Sequence, residues 1–151
     1  MTTDVLPTGP GPEAITADIL ERYPETDTIS IPGATFFSLS EKHFPNYVTI
    51  VTTDDFDEGW PSNLTARAGV FRVNIGVGRE TFERVVGSVE AEPDYAEFDR
   101  FLPHPVYAKH LWISILNPSE STYRVMVWPL IEEAHDRLAE AKARHREAST
   151  A

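Results

Sequence analysis

Two hydrophobic periods alternate along this chain, and the change between them is sharpest in "GVFRVNIGVGRETFERVVG", residues 69–87. Phe71, Val73, Ile75 and Val77 recur at every second position, the period of a strand with one buried face, while Arg72, Asn74 and Gly76 fall on the other. After Gly78 the period becomes helical, placing Phe82, Val85 and Val86 on one stripe that stops at Gly87, a residue suited to a C-terminal cap. Upstream, "PEAITADILERYP" aligns Ile15, Ile19, Leu20 and Tyr23 as a helix, with Pro12 in its first turn and Pro24 closing it. "TISI", "ATFFSLS" and "NYVTIVTT" predict β-strands joined as hairpins, and the acidic stretch "DDFDEGWPSNLTARA" predicts a long loop. Downstream, "DYAEFDRFL" places Tyr95, Phe98 and Leu102 at helical spacing before Pro103 and Pro105, and "HLWISILN" predicts another strand. Ile131, Ala134, His135 and Leu138 carry a long C-terminal helix to about Ala141; Pro129 either kinks a helix from Thr122 or opens one near Val127.

This order predicts an α+β domain: a single, mainly antiparallel β-sheet with helices packed on one face and a long C-terminal helix. The opposite face is then left to water or a guest, and it carries Arg72, Asn74, Trp112 and Ser114. Residues 1–12, with three prolines and two glycines, predict a flexible arm; 13–143 form one domain and 144–151 a frayed tail.

The chain has 151 residues, 41% of them hydrophobic, which suits one globular domain. Its 24 acidic and 13 basic residues leave a net charge of −11, a field that repels phosphate backbones and anionic lipid. Neither nucleic acid nor membrane is expected as a partner. With no cysteine, thiolate chemistry and disulfides are excluded. A start without a basic and apolar leader, and the lack of any long apolar run, point to the cytoplasm.

Four stretches resemble, in this order, a family of small bacterial proteins classed as a domain of unknown function: "FPNYVTIVTTDD", "GVFRVNIGVGRETFERVVG", "DRFLPHPVY" and "WISILNPSEST". The likeness runs from about Ile15 to Leu138. A weaker similarity, in "FRVNIGVGRETFERVV" and "LWISILNPS…PLIEEAHDRL", is to the YjbR/MmcQ-like proteins, and implies a compact α+β fold with a DNA-binding label. Neither resemblance supplies catalytic residues.

Candidate chemistry falls in four places. The turn Gly76-Val77-Gly78 could offer backbone N–H groups and Arg79 to an anion, but Thr81 stands where a dinucleotide fingerprint has its third glycine, and a strand-to-helix corner needing positive φ accounts for the glycines. "HPVYAKH" holds His104, Tyr107, Lys109 and His110 in a proline-bounded loop, suited to acid–base work by His104 and Tyr107 or to ligand hydrogen bonding. Asp54, Asp55, Asp57 and Glu58 read as a solvated acidic turn; an EF-hand fails because Gly59 and Ala66 hold the wrong positions, and the histidines lack zinc-ligand spacing. Trp60 and Trp112 could line an apolar pocket. These residues predict a domain that binds a small molecule or a protein partner through Arg72, Asn74, Arg79, His104, Tyr107, Trp112 and Ser114, with no metal and no cofactor, the alternative being a small enzyme.

Overall fold

The two-residue periods become strands of one open sheet. A computed structural model of the chain describes residues 5–57, 59, 61–87 and 93–150, with side chains to residue 146. Among these residues six strands, β1 (Asp27–Ile31), β2 (Ala34–Ser38), β3 (Asn46–Val51), β4 (Arg72–Gly76), β5 (Phe101–Pro103) and β6 (Trp112–Leu116), lie in the order β1-β2-β3-β4-β6-β5. Every neighbouring pair is antiparallel. The β1–β2 connection is Pro32-Gly33, and Gly33 has a φ of 85°, the conformation a tight turn with proline before glycine demands.

Helices cover one face. α1 (Pro12–Arg22) opens with proline in its first turn and closes on a bond from the Tyr23 amide to the Ile19 carbonyl. Ile15 and Ile19 from α1 and Val127, Ile131 and Ala134 from the C-terminal helix meet Val48, Ile50, Val73, Ile75, Ile113 and Ile115 in the main core. α2 (Arg79–Val86) adds Phe82, Val85 and Val86 beside Phe101. Its last turn ends at Gly87, whose φ is 67° and whose amide bonds the Glu83 carbonyl.

The C-terminal helix runs through Pro129 without ending. α3 (Glu120–Thr122) passes into a π-helical stretch, Tyr123–Val127, and then into α4 (Trp128–Thr150). Proline at 129 can offer no N–H to the preceding turn, and the wider π turn, closed by the Trp128 amide on the Tyr123 carbonyl, lies directly before it. The Ser119 hydroxyl caps the start by accepting from the Thr122 amide.

Three expectations are corrected. The helix over Asp94–Leu102 does not form. Phe101–Pro103 is instead an edge strand on β6, Phe98 bridges to Leu116, and Asp99 sits at a φ of 56°, which no helix accommodates. The apolar spacing of Tyr95, Phe98 and Leu102 fits a helix, but an open sheet edge at β6 offers more hydrogen bonds.

The second correction concerns the glycine corner. Gly78 precedes α2 at a φ of −82°, and neither it nor Gly76 takes a positive φ. What Gly76 provides is closeness: a Cβ there would sit 3.2 Å from the ring of its cross-strand partner Trp112. Space, not backbone freedom, favours glycine at 76.

Third, the polar sheet face is not left to water. Arg72, Asn74 and Ser114 are 1%, 2% and 1% exposed. The chain between β3 and β4 folds across them, inserting Leu64 and Val70 against Ala34, Val51 and Leu116 in a second apolar cluster. Leu6 packs onto the same cluster, and the Thr8 carbonyl accepts from the Glu120 amide.

Candidate functional site

Strand register builds the site. Phe36 pairs with Thr49, Thr49 with Asn74, and Asn74 with Ser114, so four strands contribute one row to the face away from the helices. Arg72 and Trp112 flank it two residues to either side. The row carries a continuous polar network. Arg72 Nε donates to Asn74 Oδ1 at 2.9 Å, Ser114 Oγ donates to the same oxygen at 2.7 Å, and Asn74 Nδ2 donates to Thr49 Oγ1 at 3.0 Å.

The covering loop completes this network. Arg72 Nη1 and Nη2 grip Asp57 Oδ2 and Oδ1 at 2.7 and 3.0 Å, and Nη1 also donates to Ser62 Oγ at 3.0 Å. Both side chains of the pair are 1% exposed, so a bidentate ion pair lies inside the protein. Asp54 holds the loop's other end, accepting from the Leu64 and Thr65 amides at 2.8 and 3.1 Å. Asp54 and Asp57 are therefore loop anchors, which corrects the expectation of a solvated acidic turn. Burial of carboxylates is tolerated here because each has dedicated donors. Glu58 and Trp60 lie outside the described residues.

The loop before β6 brings His104 to the same face. The ring is 5% exposed, and its Nδ1 accepts from the amides of Val106 and Tyr107, each at 3.0 Å. With Nδ1 accepting, the proton of the neutral ring resides on Nε2, which has no hydrogen-bond partner among the described residues. Burial, helped by the Arg72 charge, pushes the His104 pKa down to about 3. His104 is thus a neutral donor at physiological pH.

Between these parts lies a cleft of about 570 Å³. Phe36, Phe44, Phe56, Tyr107 and Trp112 line it with Arg72, Asn74 and His104. Phe36 and Phe56 meet edge to face at 6.1 Å, and Tyr107 tilts against His104 at 5.1 Å. Phe44, Phe56 and Tyr107 stay exposed at the rim. Of the residues expected to bind, Arg72, Asn74, His104, Tyr107 and Trp112 all border this cleft, and Ser114 supports it from beneath through Asn74. Arg79 does not join them; it borders a separate surface groove with Phe82, Tyr95 and Lys109. An arginine at the first position of α2 points along the helical side of the corner, away from the strand face.

Several lining residues escaped sequence analysis. Phe36 and Thr49 carried a signal in the alternation of β2 and β3, but their role depends on register. Phe44 and Phe56 lie in irregular segments with no period to read. Among the described residues, no group of three His, Asp or Glu side chains is arranged to hold a metal ion, and no helix is long and apolar enough to cross a membrane.

A family model of unknown function, DUF6194, matches residues 10–148. The chain belongs to this family. The match spans the whole sheet, both loops over the cleft and the C-terminal helix up to residue 148. No curated protein and no solved structure matches the chain.

Proposed function

We propose that this member of DUF6194 is a binding domain whose cleft, between the sheet and the loops at 54–66 and 103–110, holds a small molecule. The observation that carries this reading is the combination of an aromatic-walled cleft with a donor, His104 Nε2–H, on a residue only 5% exposed that lines the cleft and that no described residue satisfies. A guest that shuts water out of the cleft must supply an acceptor to this donor, because a polar group left unsatisfied on burial costs about 1–3 kcal/mol. The cleft's volume of about 570 Å³ is that of small-molecule sites.

An enzymatic role for His104 and Tyr107 fits less well. A histidine with a pKa of about 3 is too weak a base for proton abstraction near neutrality, and its Nδ1 is already occupied by two amides. Tyr107 uses its backbone amide, not its hydroxyl, to hold that ring. The likeness to YjbR/MmcQ-like proteins in "FRVNIGVGRETFERVV" suggests a shared α+β fold and no activity. Their DNA-binding label has no support in a chain of net charge −11.

The test is amide-resolved NMR mapping of an aromatic fragment library on the full chain, with Thr49→Phe as a cleft-filling control. Binding fragments are expected to perturb amides bordering the cleft, and Thr49→Phe, which also removes the acceptor of Asn74 Nδ2, to abolish the effect while a single cooperative unfolding transition is kept. Fragments that bind elsewhere, or bind Thr49→Phe equally, would refute the reading.

A further inference from the structure

The hydrogen-bond bookkeeping of the cleft restricts what can occupy it. Arg72 has five N–H groups and uses four: one on Asn74, two on Asp57 and one on Ser62. Its second Nη2 hydrogen has no partner among the described residues, and neither has the second Nδ2 hydrogen of Asn74. His104 Nε2–H makes a third open donor. On the acceptor side, each Asp57 oxygen receives one Arg72 hydrogen on a side chain only 1% exposed, and Asn74 Oδ1 already receives two bonds. Asn46 Oδ1 lacks a partner but is shut off from solvent, so a guest in the cleft cannot reach it. Among the described residues, the polar floor of Arg72, Asn74 and His104 is therefore weighted towards donors, and the Thr49 and Tyr107 hydroxyls beside it can donate as well as accept.

Charge narrows the choice further. Asp57 cancels Arg72, and His104 is neutral, so the floor donates hydrogen bonds without net positive charge. The whole chain is strongly negative. A carboxylate or phosphate would be desolvated on entry and meet no uncompensated cation. An uncharged acceptor oxygen avoids that cost. The walls are Phe36, Phe44, Phe56, Tyr107 and Trp112, surfaces that favour a flat ring through stacked and edge contacts.

We infer that the cleft binds an uncharged aromatic molecule bearing a carbonyl-type oxygen, with that oxygen on His104 Nε2–H and beside the open donors of Arg72 and Asn74, and the ring among the aromatic walls. This rests on the reading of the cleft as a small-molecule site.

A matched series of probes tests it: 2-naphthamide, 2-naphthoate and naphthalene, titrated into the full-length protein and followed by amide chemical shifts. The amide is expected to bind at least about tenfold more tightly than either of the others, because the donors are left unpaired by the hydrocarbon and oppose desolvation of the anion. His104→Asn is the companion variant. The asparagine Oδ1 can take the place of Nδ1 and still receive the Val106 and Tyr107 amides, whereas its Nδ2 hydrogens sit near the place of the ring's Cδ2 and stop short of where Nε2–H meets the guest. In His104→Asn the preference for naphthamide over naphthalene should shrink to within about twofold, with naphthalene binding retained. Naphthoate binding as tightly as the amide, an amide preference untouched by His104→Asn, or no binding by any of the three would overturn the inference. If the three fail while other fragments perturb the cleft, the ligand class is wrong and the site stands. If no fragment perturbs it, both fall.

Discussion

Replacing Arg72 with methionine tests the buried network most severely. The substitution keeps an unbranched side chain of similar reach and removes the charge, leaving the Asp57 carboxylate, 1% exposed, without its bidentate partner. Two unit charges about 4 Å apart attract by about 4 kcal/mol at an effective dielectric of about 20. Breaking such a pair from one side typically costs about 3–5 kcal/mol, since the remaining charge stays desolvated. Arg72→Met also strips a donor from Asn74 Oδ1 and from Ser62 Oγ, bonds of 2.9 and 3.0 Å. A total of about 4 kcal/mol is a large part of the 5–15 kcal/mol that holds a domain of this kind together. Asp57→Leu should cost a similar amount by stranding the guanidinium. The double variant Arg72→Met/Asp57→Leu removes both charges and is expected to be more stable than the sum of the singles requires, by about 2–4 kcal/mol. Urea unfolding followed by far-UV circular dichroism, with m-values held constant, gives all four corners of the cycle. A loss below about 1 kcal/mol for Arg72→Met, or additivity within about 0.5 kcal/mol, would show that the pair is not buried as described and would remove the floor of the cleft.

Other consequences are quickly measured. His104 is held neutral in the fold with a pKa of about 3, whereas the unfolded ring titrates near 6.5. Between these values the unfolded chain binds the extra proton, so this contribution is complete above pH 6.5 and is lost as pH falls, by about 1.4 kcal/mol per unit. His104→Asn should lack that slope, and parallel stability curves for the two proteins from pH 7 to pH 4 would contradict it. Gly33→Ala places a Cβ 2.4 Å from Thr53 Cγ2 at a φ of 85°, and should lose about 1–3 kcal/mol in urea unfolding; an unchanged midpoint would refute the turn geometry. Asn117→Ala removes the acceptor of the Phe71 amide and the donor to the Gly69 carbonyl, bonds of 3.1 and 2.9 Å, and is expected to cost about 2 kcal/mol; retention of the Phe71 amide's hydrogen-exchange protection would count against this.

The α+β architecture was legible because each core element repeats its period long enough to be read without its neighbours. Val73 and Ile75 are fully buried against the helices, and Ile15, Ile19, Ile131 and Ala134 meet them from α1 and α4, as alternation and helical spacing predict. The exception is instructive. Tyr95, Phe98 and Leu102 satisfy a helical period, yet Phe101 and Leu102 of that stretch, with Pro103, pair with β6. A short apolar pattern records that side chains will be buried, and the geometry that buries them is chosen by whichever hydrogen-bonding edge stands open.

For the site the limit is different in kind. Alternation correctly put Arg72, Asn74, Trp112 and Ser114 on the second face, but it carries no information about what lies over that face. The cover comes from residues 54–66, where no period exists, and its attachment rests on single long-range pairs such as Arg72 with Asp57 and Asp54 with the Leu64 and Thr65 amides. Such pairs leave no periodic trace, because one carboxylate at one position suffices. A polar residue alternating with buried neighbours therefore permits two readings: a solvated face, or a buried network whose partners arrive from an irregular loop. What separates them is the loop's supply of acids and hydroxyls against the strand's supply of donors. Here Arg72 and Asn74 stand opposite Asp57 and Ser62, a complementarity that a solvated face has no need of. The same loop that satisfies four of the five Arg72 hydrogens leaves His104 Nε2–H open beside the cleft among the described residues, and it is this donor that the proposed guest would supply with an acceptor.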